Sequence, residues 1–305
     1  MPQDGGVNPD LTAATAFMAT HARLLDRRRF ELLCGRGEPT EVLAALDGYR
    51  NPDGGYGWGL EPDLRSPESQ PAGALHALEV FAEVGPVSSA RAVAVCDWLT
   101  SATLGDGGLP FALPVTDPAG CAPFWANADS ETSSLHITSA VCSMAHRVAR
   151  HDQEVAGHPW LATATQFCLD AIDRIAEQPH AIELMYVLHF LDAVVDTRAE
   201  GDELLRRTVA AYLPRDGSMA VTGGAEDERL CPLDFSPEPG RPLRALLPAD
   251  AVTADLARWR SSQQGDGGWR VDFASSSPMA ELEWRGYITV HAVSLLRAQH
   301  GEPGR

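Results

Sequence analysis

The chain has 305 residues, of which 44% are hydrophobic and 22% are charged, so it is long enough to form a substantial core. Its net charge of −18 argues against non-specific binding to nucleic acids or anionic membranes, which depends on an excess of Lys and Arg. All 24 basic side chains are Arg, which excludes a Schiff-base lysine and a Walker-type phosphate-binding lysine.

Nothing in the sequence indicates export or membrane insertion. The first 20 residues contain Asp4 and Asp10 and lack the apolar run of a signal peptide. No window approaches the roughly 18 consecutive apolar residues of a membrane span. The six cysteines are dispersed and form no CxxC pair, as expected of small buried side chains in a reducing compartment. We therefore expect a cytoplasmic protein without a membrane span.

Apolar residues recur at spacings of three and four through most of the chain, which is the periodicity of amphipathic helices. In chain order, this pattern predicts helices around 42–49, 75–81, 92–99, 135–148, 161–175, 182–195, 204–213, 249–259 and 287–298. The proline-rich stretch 230–242 predicts a long extended loop instead, because a residue before proline avoids the helical region. Strand patterns are nearly absent, so we predict an all-α fold.

A glycine-rich turn recurs between the predicted helices. Asp-Gly-Gly begins at Asp53, Asp106 and Asp266, and a weaker Asp-Gly-Ser begins at Asp216. The intervals fit a repeat of about 53 residues if one degenerate turn lies near residue 161. Glycine supplies the positive φ of such a turn, and the aspartate is expected to accept hydrogen bonds from the turn backbone.

Two helices in each repeat give about six helical hairpins over the whole chain. Hairpins that are apolar on both sides can stack openly or close into a ring of inner and outer helices. The segment 182–191 is apolar nearly all round, as expected of a helix buried between an outer layer and a lined cavity. We therefore predict a single domain over residues 1–305, with the architecture of an (α/α)6 toroid.

Two of the turns resemble the repeats of squalene-hopene cyclases and protein prenyltransferase β subunits. In those families a Gln-x-x-Asp-Gly-Gly-Trp/Phe turn follows an outer helix and precedes an inner one. The matching segments here are Asp53-Gly54-Gly55-Tyr56-Gly57-Trp58 and Gln263-Gln264-Gly265-Asp266-Gly267-Gly268-Trp269. The resemblance implies an α/α toroid with a cavity for an isoprenoid or another apolar substrate. Trp58, Phe111 and Trp269 are then expected to fill the space between neighbouring hairpins.

The sequence lacks the intact catalytic motifs of both families. The segment 127–132 precedes a predicted inner helix, where class II terpene cyclases carry an acidic motif that protonates an alkene or epoxide. Such an acid must be held neutral in apolar surroundings. By this resemblance Asp129 is the first candidate for the acid, and Glu131 and Glu283 are the next. Helix capping is the alternative role for these acidic residues.

The other candidate residues are expected to contact the substrate. They are aromatic side chains that stabilise positive charge and polar side chains near the starts of the predicted inner helices: Trp58, Trp125, Tyr186, Trp284, Glu61, Asp63, His136 and Arg285. The Asp-x-Cys zinc motif of the prenyltransferases is missing, so we expect no metal and no cofactor. A second copy or a partner chain is expected to cover the mouth of the cavity, because full-length cyclases use a second domain there.

Two other functions fit the same sequence. A carbohydrate-acting toroid would use a pair of acids about 5 to 9.5 Å apart beside an aromatic platform. A non-catalytic binding or scaffold protein would keep the fold without the catalytic acid.

Overall fold

The computed structural model describes residues 9–299, which pack as two compact units. The central unit spans residues 39–213, and the terminal unit combines the chain before residue 39 with the chain after residue 213. Both units are mainly helical, which confirms the all-α class. Closure of the hairpins into a toroid remains a prediction. No helix within residues 9–299 is both long enough and apolar enough to cross a membrane.

Some helices of the described chain follow one another directly, and others are separated by long connections such as 50–70 and 103–122. The helices are α1 (Leu11–His21), α2 (Leu24–Leu33), α3 (Pro39–Leu46), α4 (Pro71–Val84), α5 (Ser89–Ala102), α6 (Pro123–Ala126), α7 (Leu135–Ala149), α8 (Gln153–Ala156), α9 (Pro159–Asp173), α10 (Ala181–Val194), α11 (Ala199–Tyr212), α12 (Pro232–Phe235), α13 (Pro242–Ala245), α14 (Ala249–Ser261) and α15 (Pro278–Ala298). Single 3-10 turns follow α3 and α4. Strands β1 (Met219–Ala220) and β2 (Arg229–Leu230) form a small antiparallel hairpin in which Met219 pairs with Leu230.

The central unit has two layers of helices. In the first layer α7 packs between α4 and α10, and in the second α5, α9 and α11 pack against α4, α7 and α10 respectively. The first layer is the more buried: eleven of the fourteen residues of α4 are buried, and Leu75, Leu78 and Phe81 are at most 4% exposed. Burial on several sides explains why these helices are apolar nearly all round in sequence.

The terminal unit brings the two ends of the described chain together. Helix α15 packs against α1, α2 and α14. Its core contains Phe17 of α1, Phe30 of α2 and Val293 of α15. The Asp10 N–H donates to Gln263 Oε1 over 2.8 Å, and Gln263 Nε2 donates back to the Asp10 carbonyl over 2.9 Å. The sequence pattern had not indicated α1 or α2, although both contribute to this core.

The three Asp-Gly-Gly turns have the same local structure. The Oδ1 atoms of Asp53, Asp106 and Asp266 accept hydrogen bonds from the N–H two residues later, over 2.9, 3.2 and 3.1 Å. The first glycine of each turn has a φ between 92° and 95°. The weaker turn at Asp216 makes the same hydrogen bond over 3.1 Å. The predicted roles of aspartate and glycine are therefore confirmed.

Three details of the predicted repeat were wrong. Residue 161, where the degenerate turn was predicted, lies inside α9. The connection that lacks Asp-Gly-Gly is at residues 174–180, because the segment between Asp106 and α7 is long. Helix α15 begins nine residues before its predicted start at 287, since Ser277 caps its N-terminus. Helix α12 lies inside the predicted extended loop, where proline occupies its first turn, the one helical position that proline favours.

The side chain that fills the space behind each turn is the predicted one at only one of the three turns. The buried residue directly follows the second glycine: Tyr56, Leu109 and Trp269 are 0%, 0% and 1% exposed. Trp269 is thus confirmed, whereas Trp58 lies two residues further on and is 59% exposed. Phe111 at the equivalent place stacks on Trp125.

Candidate functional site

The helices α4, α7 and α10 bring a group of polar and aromatic side chains together in the central unit. The first part, which we call the acidic cluster, consists of Glu61, His76 and Glu79. The second part, which we call the aromatic wall, consists of Trp125, Phe111, His136 and Tyr186.

The acidic cluster is centred on an imidazole that lies between two carboxylates. His76 Nε2 is 2.9 Å from Glu61 Oε2, and His76 Nδ1 is 2.9 Å from Glu79 Oε2. Glu79 follows His76 by three residues on α4, so the two side chains share one face of the helix. Glu61 comes from the loop before α4, where its Oε1 accepts the Asp63 N–H over 3.1 Å. His76 and Glu61 are each only 8% exposed.

The carboxylates keep His76 charged in spite of its burial. Burial alone would lower the pKa of His76, but attraction to Glu79 and hydrogen bonds with Glu61 and Glu79 raise it to about 9. At neutral pH the ring is therefore an imidazolium, and with the formal charges of its two carboxylate partners it gives the cluster a formal net charge of −1. Burial, with a smaller contribution from Glu79 and Glu61, also raises the pKa of the Tyr186 phenol. That phenol remains neutral beside the cluster.

The aromatic wall is a continuous series of ring contacts. The Phe111 and Trp125 rings stack with centroids 4.4 Å apart and an angle of 10°. Phe111 meets His136 at 5.2 Å, and His136 stacks on Tyr186 at 5.3 Å. The series thus runs from Phe111 and Trp125 through His136 of α7 to Tyr186 of α10. The charges of Glu79 and Glu61 act on the Tyr186 phenol, which relates the wall to the acidic cluster.

His136 serves as a neutral aromatic ring in this wall. Burial, with a smaller effect of His180, lowers the pKa of His136 to about 4. On α10, one turn before Tyr186, burial raises the pKa of Glu183. His136, Glu183 and Tyr186 are half-buried, so they retain surface that a small molecule can contact even though burial perturbs their titration.

Four of the residues predicted from sequence are brought together here. Glu61 belongs to the acidic cluster, and Trp125, His136 and Tyr186 belong to the aromatic wall. Asp63 is also buried, 5% exposed, and lies beside Glu61 in the same loop.

Asp129 and Glu131 lie on the exposed segment before α7 and belong to neither the acidic cluster nor the aromatic wall. A hydrogen bond with Thr132 and the backbone N–H of Glu131, which is 2.8 Å from Asp129 Oδ1, lower the pKa of Asp129. A protonating acid needs the opposite, a carboxyl group held neutral by its surroundings. The cap of α7 is Ser134, whose hydroxyl accepts the Ile137 N–H.

The remaining predicted residues are an exposed tryptophan and three residues of α15. Trp58 lies on the surface of the central unit. Glu283, Trp284 and Arg285 belong to the terminal unit, where Trp284 packs edge-on against Phe273 and Tyr287. Arg285 Nη2 binds both Asp266 oxygens at 2.8 Å, and Arg285 Nε donates to the Trp269 carbonyl. Arg285 therefore ties an Asp-Gly-Gly turn to α15.

Sequence reasoning missed His76 and Glu79, which form most of the acidic cluster. The signal was a pair of polar residues three positions apart in the otherwise apolar stretch 72–81. Their partner Glu61 is distant in sequence, so only the fold reveals the pairing. Within residues 9–299 no group of three or more His, Cys, Asp or Glu side chains is arranged to hold a metal ion. In the acidic cluster, the two nitrogens of His76 face different carboxylates.

No protein-family model matches the chain, and no curated protein matches it.

Proposed function

We propose that this chain binds an isoprenoid or a similarly apolar substrate against the aromatic wall and stabilises positive charge that develops on it. The fold we propose is the α/α toroid of squalene-hopene cyclases and protein prenyltransferase β subunits. The observation that carries the proposal is the continuous wall of aromatic rings next to a buried cluster of net negative charge. The repeated turns and the packing of α7 between α4 and α10 support the fold.

The chemistry follows from two physical effects. Aromatic faces carry the negative part of a quadrupole and attract a cation, and a desolvated anionic cluster attracts it further. A hydrocarbon chain binds to the wall by burial of apolar surface, so a ligand that is apolar and transiently cationic uses both parts of the site.

The acidic cluster is proposed to stabilise positive charge and not to donate a proton. A protonating acid must be held neutral by its surroundings, and both carboxylates of the cluster lie instead beside the His76 imidazolium. Glu79 is our choice for the carboxylate that acts on the ligand, because its side chain is 15% exposed and that of Glu61 only 9%.

A pair of glycosidase acids needs open space between the two carboxyl groups for the sugar or water. In the acidic cluster, the His76 ring occupies the space between Glu61 and Glu79. We therefore favour an apolar substrate over a carbohydrate.

The first experiment measures binding and turnover of linear polyprenyl compounds. Calorimetry compares farnesol with a farnesyl chain that ends in a trimethylammonium group, and product analysis follows incubation with linear polyprenyl substrates. We expect the ammonium compound to bind about tenfold more tightly, a difference of roughly 1.4 kcal/mol. Glu79→Gln should remove this preference and any product, whereas Asp129→Asn should change neither. Absence of binding, equal affinity for the two compounds, or loss of turnover in Asp129→Asn would contradict the proposal.

The pH dependence supplies a second readout. The trimethylammonium group keeps its charge at every pH, while His76 loses its proton as the pH rises through about 9. The cluster then changes from a net charge of −1 to −2, so affinity for the ammonium compound should increase between pH 7 and pH 10. In His76→Gln this increase should disappear. An unchanged increase in that variant would assign the pH effect to another group.

A further inference from the structure

Trp58 presents a large aromatic face to solvent at a defined place in the central unit. It is 59% exposed, and its backbone φ is 57°, a region that bulky residues rarely adopt. Its Nε1–H donates to Asn51 Oδ1 over 2.8 Å, and its backbone N–H donates to the Ser66 carbonyl over 2.7 Å. The indole is thus held in position at the surface by hydrogen bonds at both ends of the residue.

The ring borders a shallow recess that is open to solvent. The lining combines flat apolar groups with carboxylates and contains no basic residue; it consists of Asn51, Pro52, Asp53, Trp58, Pro67, Glu68 and Ser69.

The neutral polar groups of the recess already bind one another. Asn51 Nδ2 donates to the Pro67 carbonyl over 2.8 Å and to Ser69 Oγ over 3.0 Å. Ser69 Oγ donates to Asp53 Oδ1 over 2.8 Å. A carboxylate has about four acceptor positions, so what the recess offers a ligand is acceptor capacity. A neutral sugar would also need donors, whereas an organic cation needs none and is attracted by the carboxylates.

Glu68 supplies a permanent negative charge beside Trp58. Its Oε2 accepts from the Ser66 hydroxyl and its Oε1 accepts the Thr116 N–H over 3.1 Å. These hydrogen bonds, that of Ser66 first, lower the pKa of Glu68 to about 2. The carboxylate is therefore ionised at any physiological pH.

We propose that this recess is a binding site for an organic cation, a guanidinium or alkylammonium group that stacks on Trp58 and pairs with Glu68. An indole face is the strongest aromatic partner for a cation, and a carboxylate at its edge completes the charge pairing. The cation can be a free small molecule or the side chain of an arginine in a peptide. The recess shares no residue with the acidic cluster or the aromatic wall, so cation binding there does not depend on the proposed function.

The test follows the Trp58 indole N–H by two-dimensional ¹H–¹⁵N NMR on the full-length chain, the signal being assigned by its loss in Trp58→Phe. The probes are tetramethylammonium chloride, the blocked tripeptide Gly-Arg-Gly, and the same tripeptide with neutral citrulline in place of arginine. We expect a saturable shift with the two cations, with dissociation constants on the order of millimolar, and none with citrulline.

Two variants separate the site from general charge effects. Glu68→Gln keeps the shape of the side chain and should weaken cation binding by at least about fivefold. Phe124→Ala removes another exposed aromatic ring, 57% exposed, and should leave binding unchanged. Tighter binding of the arginine peptide than of tetramethylammonium assigns the site to a peptide side chain, and the reverse assigns it to a small cation. No shift at Trp58, an equal shift with citrulline, or full affinity in Glu68→Gln would overturn the proposal.

Discussion

Gly267 lies directly against the backbone of α1, and this close approach explains why a glycine is required there. A Cβ atom at Gly267 would lie 2.2 Å from the Ala13 carbonyl oxygen, and the φ of Gly267 is 94°. Gly35 also has a positive φ, 69°, but a Cβ there would meet nothing within 4 Å. Substitution of Gly35 therefore tests the backbone conformation alone, and substitution of Gly267 tests the backbone conformation together with the contact.

We expect Gly35→Ala to lower the free energy of unfolding by about 1 kcal/mol, the conformational penalty alone. Gly267→Ala should lower it by roughly 2–4 kcal/mol, because α1 must also move away from the turn. Urea denaturation followed by circular dichroism measures both values. Equal losses in the two variants would show that the contact with Ala13 contributes nothing.

At the level of elements, a threonine joins each of two helices to the turn that precedes it. Thr289 Oγ1 of α15 accepts the Trp269 N–H over 3.1 Å, and Thr138 Oγ1 of α7 accepts the Leu109 N–H over 2.9 Å. Both threonines are fully buried, as are the residues that donate to them. The repeat is therefore held together by a hydrogen bond between turn and helix as well as by apolar packing.

Thr289→Val should lower the free energy of unfolding by about 1–3 kcal/mol. Valine has nearly the same size as threonine, but it leaves the buried Trp269 N–H without a hydrogen-bond acceptor. Thr289→Ser keeps the hydroxyl and should be less harmful than the valine variant. Thermal unfolding of the pair, with Thr138→Val and Thr138→Ser as the second copy, gives the comparison. If serine and valine are equally destabilising, the hydroxyl has no such role.

On the scale of the whole chain, residues near the start complete the packing of the last helix. The contacts of α15 with α1 and α2 come from residues more than two hundred positions away in sequence. The core around α15 includes Phe17 and Phe30, so it depends on the N-terminal segment.

Deletion of residues 1–38 should therefore expose α15 while leaving α7 and α10 protected. Hydrogen–deuterium exchange with mass spectrometry should show faster exchange over 278–298 and unchanged exchange over 135–149 and 181–194. Phe17→Ala, a milder change in the same core, should speed exchange in the same segment to a smaller degree. Faster exchange in all three segments, or unchanged exchange in α15, would contradict the dependence of α15 alone on the N-terminal segment.

The sequence by itself determined the elements that depend on neighbouring residues. The all-α class, most helices and the Asp-Gly-Gly turns follow from local spacing and from the conformational freedom of glycine, both of which are readable along the chain. The burial of Trp269 was also predictable from the sequence, because this residue directly follows its Asp-Gly-Gly turn.

The candidate site was determined only by the tertiary structure. Glu61 was predicted, but its partners His76 and Glu79 were not, because their pairing depends on how a loop lies against α4. Asp129 was chosen for its sequence position, yet it lies at the surface. Burial and charge pairing, which decide whether a carboxyl group or an imidazole is protonated, come from residues that are distant in sequence, and so they are settled only when the helices pack.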